Sequence, residues 1–224
     1  DAPAILVAAT LQPRKGVVEW IDSLNIVLRD HPRAKARLIG PDTPSAPVGG
    51  GSMWAFVESR IHPAVKSRVR WFDRTSPDRL VTLMREATLI VVPSRFECFS
   101  LVAADGLGYG RPTLLSDAVG VASLAPSAPT FPAGDVDALA AAQLDVLARL
   151  DEAADRALTA RAELVAACDP ASVFEERLAF AGERHPAVEA SAPRTEKADG
   201  LDLIDAFDLL LRGIERAERT LRPS

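Results

Sequence analysis

The sequence is poor in the residues that build metal centres and disulfide frameworks. Of its 224 residues only two are cysteines and three are histidines. Cys98 and Cys168 lie too far apart for a metal knuckle, and two thiols do not form the cross-linked scaffold of a small secreted domain. We therefore expect a reducing compartment and no metal site.

An excess of basic residues and a long apolar run are also lacking. Lysine and arginine number 26 against 31 aspartates and glutamates, so the net charge is −5. A basic face that could neutralise nucleic-acid phosphates is not expected in such a chain. The densest apolar run, residues 89–92, is far shorter than the ~20 residues of a membrane span, and the start at Asp1 lacks the pattern of a secretory signal. These absences predict a cytoplasmic protein with no transmembrane segment and no nucleic-acid partner.

The chain does have the composition of a folded domain, with 48% apolar and 25% charged residues. Short apolar runs, typical of buried strands, alternate with stretches of helical periodicity. The predicted strands are residues 5–9, 36–40, 69–72, 88–92 and 112–115. The predicted helices are residues 17–28, 53–62, 78–87 and 101–109, with two more within 135–167.

This alternation predicts an α/β fold, a Rossmann-like parallel sheet with helices on both faces, because parallel neighbours are joined by right-handed helical crossovers. Residues 191–200 are polar and rich in helix breakers, which is typical of a linker. Beyond them, apolar residues repeat at helical spacing from Leu201 to Ile214. We expect one domain over residues 1–190, then over 191–224 a linker and a C-terminal amphipathic helix that needs an apolar partner.

The loop after the fourth predicted strand, residues 93–101, is well placed for binding. Ligands of open parallel sheets bind outside the carboxyl ends of the strands. The spacing alone supports a structural role as well as a binding role. Ser94 and Glu97 form the Ser-x-x-Glu pattern of a capping box, whose side chains only satisfy helix amides. Asp105, taken alone, is typical of a solvated charge on a helix.

Two cations, Arg14 and Lys15, stand at the start of the first predicted helix. There they oppose the helix macrodipole, which favours anions at that end by ~0.3–1 kcal/mol. One interpretation is an anion held between these side chains and the helix amides. The other is a pair of solvated charges at a turn.

Glycines 106, 108 and 110 imitate part of a dinucleotide-binding fingerprint. Such a fingerprint opens a helix after the first strand, whereas these glycines end a helix before the fifth strand. Gly110, followed by Pro112, is typical of helix termination. We therefore do not expect NAD binding.

Together these segments resemble the C-terminal, donor-binding domain of the group 1 glycosyltransferases, which are retaining enzymes of family 4 with GT-B architecture. The resemblance covers residues 5–183 and is strongest over 87–105, continuing to Pro112. The family pattern there is a strand, Pro-Ser, a Glu, a Phe-small-Leu step, a second acid and Gly-x-Pro. Residues 11–16 look like the family's phosphate-side loop. Residues 131–135 resemble its late loop, and residues 172–175 the start of its late helix.

The resemblance implies that the ligand is a nucleotide diphosphate sugar and that no metal or other cofactor is needed. Lys15 would then meet the diphosphate, with Arg14 and Thr10 also at the donor. A Lys ammonium ~4 Å from a phosphate contributes roughly 4 kcal/mol of attraction at an effective dielectric constant of ~20, before desolvation.

The resemblance gives the loop and helix after the fourth strand the rest of the donor site. Glu97 would accept hydrogen bonds from the donor sugar and, with Lys15, carry the catalytic role. Asp105 would accept from the ribose hydroxyls. The helix amides that would donate to phosphate oxygens are those near Phe99, Ser100 and Leu101.

The chain departs from the family pattern at four places. Thr10 stands where the family has an Arg, Asp73 where it has a Gly, Asp105 where it has a Glu, and residues 119–123 lack the Glu of a Gly-Gly-x-Pro-Glu loop. The alternative is therefore a catalytically degenerate GT-B-like domain that binds a partner or acts as a scaffold. A third interpretation is a GT-B-like epimerase, for which the sequence offers no obvious catalytic acid.

In this architecture the acceptor site belongs to an N-terminal domain. The resemblance therefore implies a partner domain that this sequence does not contain. We expect the chain to be an excised half of a larger enzyme or a stand-alone relic. The sequence does not indicate the sugar, the base, the acceptor or the oligomeric state.

Overall fold

The computed structural model describes residues 2–47 and 49–173. Within them, six strands form a parallel sheet in the order β3-β2-β1-β4-β5-β6. The strands are β1 (Ala4–Ala8), β2 (Lys35–Ile39), β3 (Val69–Phe72), β4 (Leu89–Val92), β5 (Thr113–Ser116) and β6 (Thr130–Phe131). The helices are α1 (Val17–Asp30), α2 (Met53–Ser59), α3 (Pro63–Lys66), α4 (Pro77–Glu86), α5 (Leu101–Gly108), α6 (Val136–Ala148) and α7 (Leu150–Ala167). Short 3-10 turns span Pro13–Lys15 and Gly120–Ser123.

The predicted Rossmann-like fold is confirmed, and two local predictions are corrected. The helix expected over residues 53–62 ends at Ser59, and α3 follows as a separate turn that begins with Pro63. Proline has no amide hydrogen to continue a helix but fits its first turn. Strand β6 was not predicted, because its two residues lie between Pro129 and Pro132 and form no apolar run.

Side chains of the sheet alternate between two layers of helices. On one face Ile5 and Val7 pack with Trp20 of α1, and all three are almost fully buried. On this side α6 packs against α1, where the Gln143 amide donates to the Ser23 hydroxyl at 2.9 Å. On the other face α4 packs against β1, and α5 against β4 and β5. Burial of each large apolar side chain contributes ~1.5–3 kcal/mol to the stability of the fold. Because β1 contacts both helix layers, its side chains contribute on both faces of the sheet.

The chain divides into two compact units, Asp1–Leu164 and Val165–Ser224. The sheet and helices α1–α6 belong to the first unit. In the second, the described residues complete α7, and a helix then begins at residue 170, where the Asp169 carboxylate accepts from the Ser172 amide at 2.9 Å. This hydrogen bond lowers the pKa of Asp169. The predicted boundary at residue 190, the linker, the C-terminal helix and residues 174–175 of the late helix lie outside the described residues.

Among residues 2–47 and 49–173 there is no helix with both the length and the apolar character needed to cross a membrane. The same residues do not gather three or more His, Cys, Asp or Glu side chains into a group fit for a metal ion.

Candidate functional site

The candidate site lies where the strand order reverses. The chain passes from β1 outward to β2 and β3, then returns to β4 on the other side of β1. The loops after β1 and β4 therefore leave neighbouring strands and lead into helices on opposite faces. Such a switch point leaves a crevice at the carboxyl edge of a parallel sheet, where ligands bind.

Main-chain contacts hold these two loops together. The Arg95 amide donates to the Arg14 carbonyl at 2.8 Å. Gly16 has a φ of +67°, and a Cβ there would lie 1.8 Å from the Pro93 carbonyl oxygen. Only glycine combines this left-handed conformation with so close an approach. The backbone itself thus fixes the position of Lys15, the residue before Gly16.

Lys15 and Glu97 meet at this edge. The Lys15 ammonium donates directly to Glu97 Oε2 in an ion pair that joins positions 82 residues apart. Arg14 Nη1 lies 3.5 Å from the same oxygen. The side chains of Lys15 and Glu97 are 18% and 19% exposed, whereas that of Arg14 is 56% exposed. The two predicted catalytic residues therefore lie together in a partly sheltered position, with Arg14 at the rim.

A second loop braces the Glu97 backbone. The Glu97 amide donates to the Ala118 carbonyl at 3.1 Å, and the Glu97 carbonyl accepts from the Gly120 amide at 2.9 Å. A Cβ at Gly120 would lie 1.9 Å from the Cys98 carbonyl oxygen, so the two loops touch backbone to backbone. The loop after β5, which lacks the family's Glu, thus orients the loop that carries Glu97.

The capping-box interpretation of Ser94 and Glu97 is wrong. The N-cap of α5 is Ser100, whose hydroxyl accepts from the Ala103 amide at 3.3 Å. Ser94 is buried, and its carbonyl accepts from the Ser116 hydroxyl instead. The Glu97 carboxylate therefore belongs to the crevice and does not cap the helix.

Ser100 has a φ of +81°, a left-handed conformation that L-residues other than glycine seldom adopt. Strain of this kind costs of order 1–3 kcal/mol and concentrates at functional sites. Here it turns the chain sharply between Glu97 and the first turn of α5. As a result the amino end of α5, which carries the positive end of the helix dipole, follows the Lys15–Glu97 pair directly.

The other predicted donor residues lie along the same edge. Thr10 follows β1 and is half-buried, and the Phe99 carbonyl accepts from the Val121 amide at 3.2 Å. Leu101 and Asp105 are four residues apart on α5, so both lie on its exposed side. Desolvation by the surrounding protein raises the pKa of the Asp105 carboxyl.

One charged pair beside the site was not predicted from the sequence. Glu19, in the first turn of α1, is buried, and its Oε1 accepts from Nε and Nη2 of Arg95. Its Oε2 is buried without a described partner. This pair ties α1 to the loop after β4. In the sequence Glu19 is an ordinary first-turn acid, and nothing there links it to an arginine 76 positions later.

Residues 2–149 match the protein family described as Glycosyl transferases group 1. The D-inositol 3-phosphate glycosyltransferase of Corynebacterium efficiens is 30% identical over 116 residues, which are 50% of this chain and 26% of that protein. The glycogen synthase of Mycobacterium tuberculosis is 28% identical over 168 residues, which are 74% of this chain and 39% of that protein. The chain thus spans well under half the length of these relatives.

Solved structures share the fold. A sucrose-phosphate synthase from Thermosynechococcus elongatus superposes with a TM-score of 0.68 at 21% identity, covering 84% of this chain and 46% of that chain. A structure described as trehalose-6-phosphate from E. coli bound with UDP-2-fluoro glucose gives a TM-score of 0.65 at 17% identity, covering 86% of this chain and 45% of that chain.

Proposed function

The chain belongs to the group 1 glycosyl transferases, and from this premise we propose that it is the donor-binding half of a retaining GT-B enzyme. Its ligand in this proposal is a nucleotide diphosphate sugar, held at the carboxyl edge of the sheet. The observation that carries the proposal is the convergence of Lys15 and Glu97 at the switch point. One superposed structure was solved with UDP-2-fluoro glucose, a ligand of this class.

Three groups would receive the diphosphate. Lys15 supplies a sheltered ammonium, Arg14 a more exposed guanidinium, and α5 the amides of its first turn. A helix amino end and a nearby cation are the two elements that proteins combine to hold phosphate. Since the family's Arg is replaced by Thr10, Arg14 is the second cation available to the diphosphate.

Glu97 would hold the transferred sugar. A carboxylate offers about four lone-pair positions and an ammonium has three donors, so the ion pair leaves both groups able to bind a ligand. Each charge-assisted hydrogen bond to a sugar hydroxyl is worth ~1.5–3 kcal/mol. In this arrangement the ion pair orients both side chains before the donor arrives, which lowers the entropic cost of binding.

Asp105 would hold the ribose. It lies on the exposed side of α5, beyond the amide groups that face the diphosphate. Its carboxylate is open to hydrogen bonds from the ribose hydroxyls, and a hydrogen bond to a charged group is worth ~1.5–3 kcal/mol. Asp105 is one methylene shorter than the family's Glu, so the ribose would have to approach α5 more closely.

The chemical role of this half would be to stabilise the leaving group. As the glycosyl bond breaks, negative charge builds on the nucleotide diphosphate, where Lys15, Arg14 and the α5 amides are already oriented. The chain's own residues would thus bind the donor and stabilise departing charge. The acceptor site would belong to an N-terminal GT-B domain, in keeping with the share of its relatives that this chain spans.

The proposal is tested by calorimetric titration of the protein with UDP, GDP and ADP. We expect saturable binding of at least one diphosphate, tighter than binding of the matching monophosphate, since the second phosphate adds the contacts of Lys15. No detectable heat at millimolar diphosphate would reject the proposal. It would favour the alternative of a degenerate module, which the departure at Thr10 suggested and which the comparisons do not favour.

A further inference from the structure

A second concentration of positive charge lies away from the Lys15–Glu97 site. It is a recess of about 430 Å³ on the side of β2 and β3 that faces α4. Five cationic residues line this basic recess, together with the half-exposed ring of Phe72. The cationic residues are Lys35, Arg37, Arg68, Arg70 and Arg79.

The register of the sheet forces the cations together. Lys35 and Arg37 are two apart on β2 and lie on one face, as do Arg70 and Phe72 on β3. Arg37 and Arg70 are direct partners across the two parallel strands. Like charges in that relation destabilise a sheet.

The described residues neutralise little of this charge. The acid that contacts the basic recess is Glu86, whose Oε2 lies 3.3 Å from Arg37 Nη1 at an exposed position. Arg68 donates to the carbonyls of Leu28, His31 and Ala34, which stabilises the end of α1 but supplies no counter-charge.

Lys35, Arg70 and Arg79 form no ion pair or hydrogen bond through their side chains with any residue that the structure describes. They are exposed at the wall of the recess. Three cationic heads therefore remain for a ligand, with Arg37 beside them.

Two structural explanations do not account for the cluster. The chain is not basic overall, because its net charge is −5. Cations on an edge strand discourage pairing with another sheet, which explains Arg70 on β3. Lys35 and Arg37 lie on β2, however, which is paired on both sides and needs no such protection.

We propose that the basic recess binds a compact anion with two or more phosphate groups. Guanidinium groups match phosphate oxygens in bidentate pairs, and several of them around a concave space favour clustered phosphates over a single one. The ring of Phe72 offers an apolar contact to the carbon skeleton that carries the phosphates. This site is separate from the donor site, and its existence does not depend on the proposed transferase function.

The test is a calorimetric titration with inorganic tripolyphosphate, comparing the unmodified protein with Arg70→Gln, Lys35→Gln and the double variant. We expect at least tenfold weaker binding in each single variant and a further loss in the double variant. The affinity should also fall steeply with salt. Arg161→Gln, an exposed arginine of α7 outside the recess, is the matched control and should leave binding unchanged.

Thermal unfolding supplies a second readout. Without ligand, Arg70→Gln should raise the melting temperature, because it removes repulsion of Arg37. Tripolyphosphate should stabilise the unmodified protein more than the double variant, in which the proposed donor site is the remaining site for this anion. Lys15→Ala changes the proposed donor site and should leave tripolyphosphate binding at the basic recess unchanged.

Three results would overturn the proposal. They are equal binding by the double variant, loss of binding through Lys15→Ala alone, and binding to anionic lipid vesicles with none to tripolyphosphate. The second would assign the anion to the donor site, and the third would make the recess a membrane contact.

Discussion

Lys15 and Glu97 form a direct ion pair across 82 residues of sequence, at the edge where β1 and β4 end side by side. The pair joins the helical turn before α1 to the loop before α5. Because these segments lead to opposite faces of the sheet, the pair marks the mouth of the crevice between the two layers. Each of its members has a distinct expected role, which single substitutions separate.

Replacing Lys15 with alanine should weaken the binding of a nucleotide diphosphate at least tenfold, which is about 1.4 kcal/mol. The ammonium is the most sheltered cation at the site, so its attraction to phosphate is screened least by water. Calorimetric titration measures the change. Lys66→Ala is the matched control, since Lys66 pairs with Glu58 on the surface. An unchanged dissociation constant for Lys15→Ala would remove this residue from the donor site.

The variant Glu97→Gln should lose discrimination among donor sugars while keeping affinity for the bare nucleotide diphosphate. The amide retains the shape of the side chain but loses the charge that strengthens hydrogen bonds from sugar hydroxyls. Competition between nucleotide sugars and the matching diphosphate measures this ratio. If both affinities fall together, Glu97 serves mainly to hold Lys15 in place.

Replacing Gly16 with alanine should destabilise the fold by several kcal/mol and weaken diphosphate binding. The new Cβ would collide with the Pro93 carbonyl and the residue would keep a positive φ. Gly134→Ala is the control for φ alone, because Gly134 has a φ of +84° with nothing within 4 Å of the added atom. Denaturant unfolding should show a clearly larger loss at Gly16. Equal losses of unfolding free energy at both positions would mean that the loops can move apart to accommodate the Cβ at Gly16 without loss of stability.

Glu19 and Arg95 should show a coupling energy of about 0.5–3 kcal/mol in a double-mutant cycle of unfolding free energies. The cycle uses Glu19→Gln, Arg95→Gln and the double variant. The buried carboxylate has lost its hydration and depends on the guanidinium for its hydrogen bonds. Additive effects would show that this pair does not tie α1 to the loop after β4.

Asp105→Asn should stabilise the protein at neutral pH, and the gain should vanish in acid. Desolvation raises the pKa of Asp105 in the folded state, so the folded protein binds this proton more tightly than the unfolded chain. The charged carboxylate therefore costs stability above its raised pKa, and the cost disappears as the pH falls through that value. Unfolding free energies at neutral pH and at about pH 3 test the sign. A gain that persists unchanged in acid would contradict it.

Local pattern was enough to predict the framework. The apolar runs at β1 and β4 are buried on both faces, so their composition alone reveals them. The two residues of β6 have no such run, and their strand pairing with β5 depends on tertiary structure. The Ser-x-x-Glu spacing of Ser94 and Glu97 did not mark a helix cap, because α5 begins at Leu101 and its N-cap is Ser100.

The site was predictable only where residues near in sequence carry a family pattern. The resemblance brought Lys15 and Glu97 together. Without it, Lys15 was open to two interpretations, an anion contact or a solvated turn charge, and Glu97 to two others, a binding residue or a helix cap. The Glu19–Arg95 pair and the register that aligns Arg37 with Arg70 are long-range features. They arise when the sheet assembles, and no local window contains them.

The close fit of Gly16 to Pro93 and of Gly120 to Cys98 means that backbone contacts set the spacing of the crevice at the carboxyl edge of the sheet. Substitutions on the outer surfaces of the helices therefore leave that spacing intact. On the proposed function, engineering of this domain toward a different sugar or base has its freedom in the side chains that line the crevice, while the backbones of the three loops around it, after β1, β4 and β5, tolerate little change.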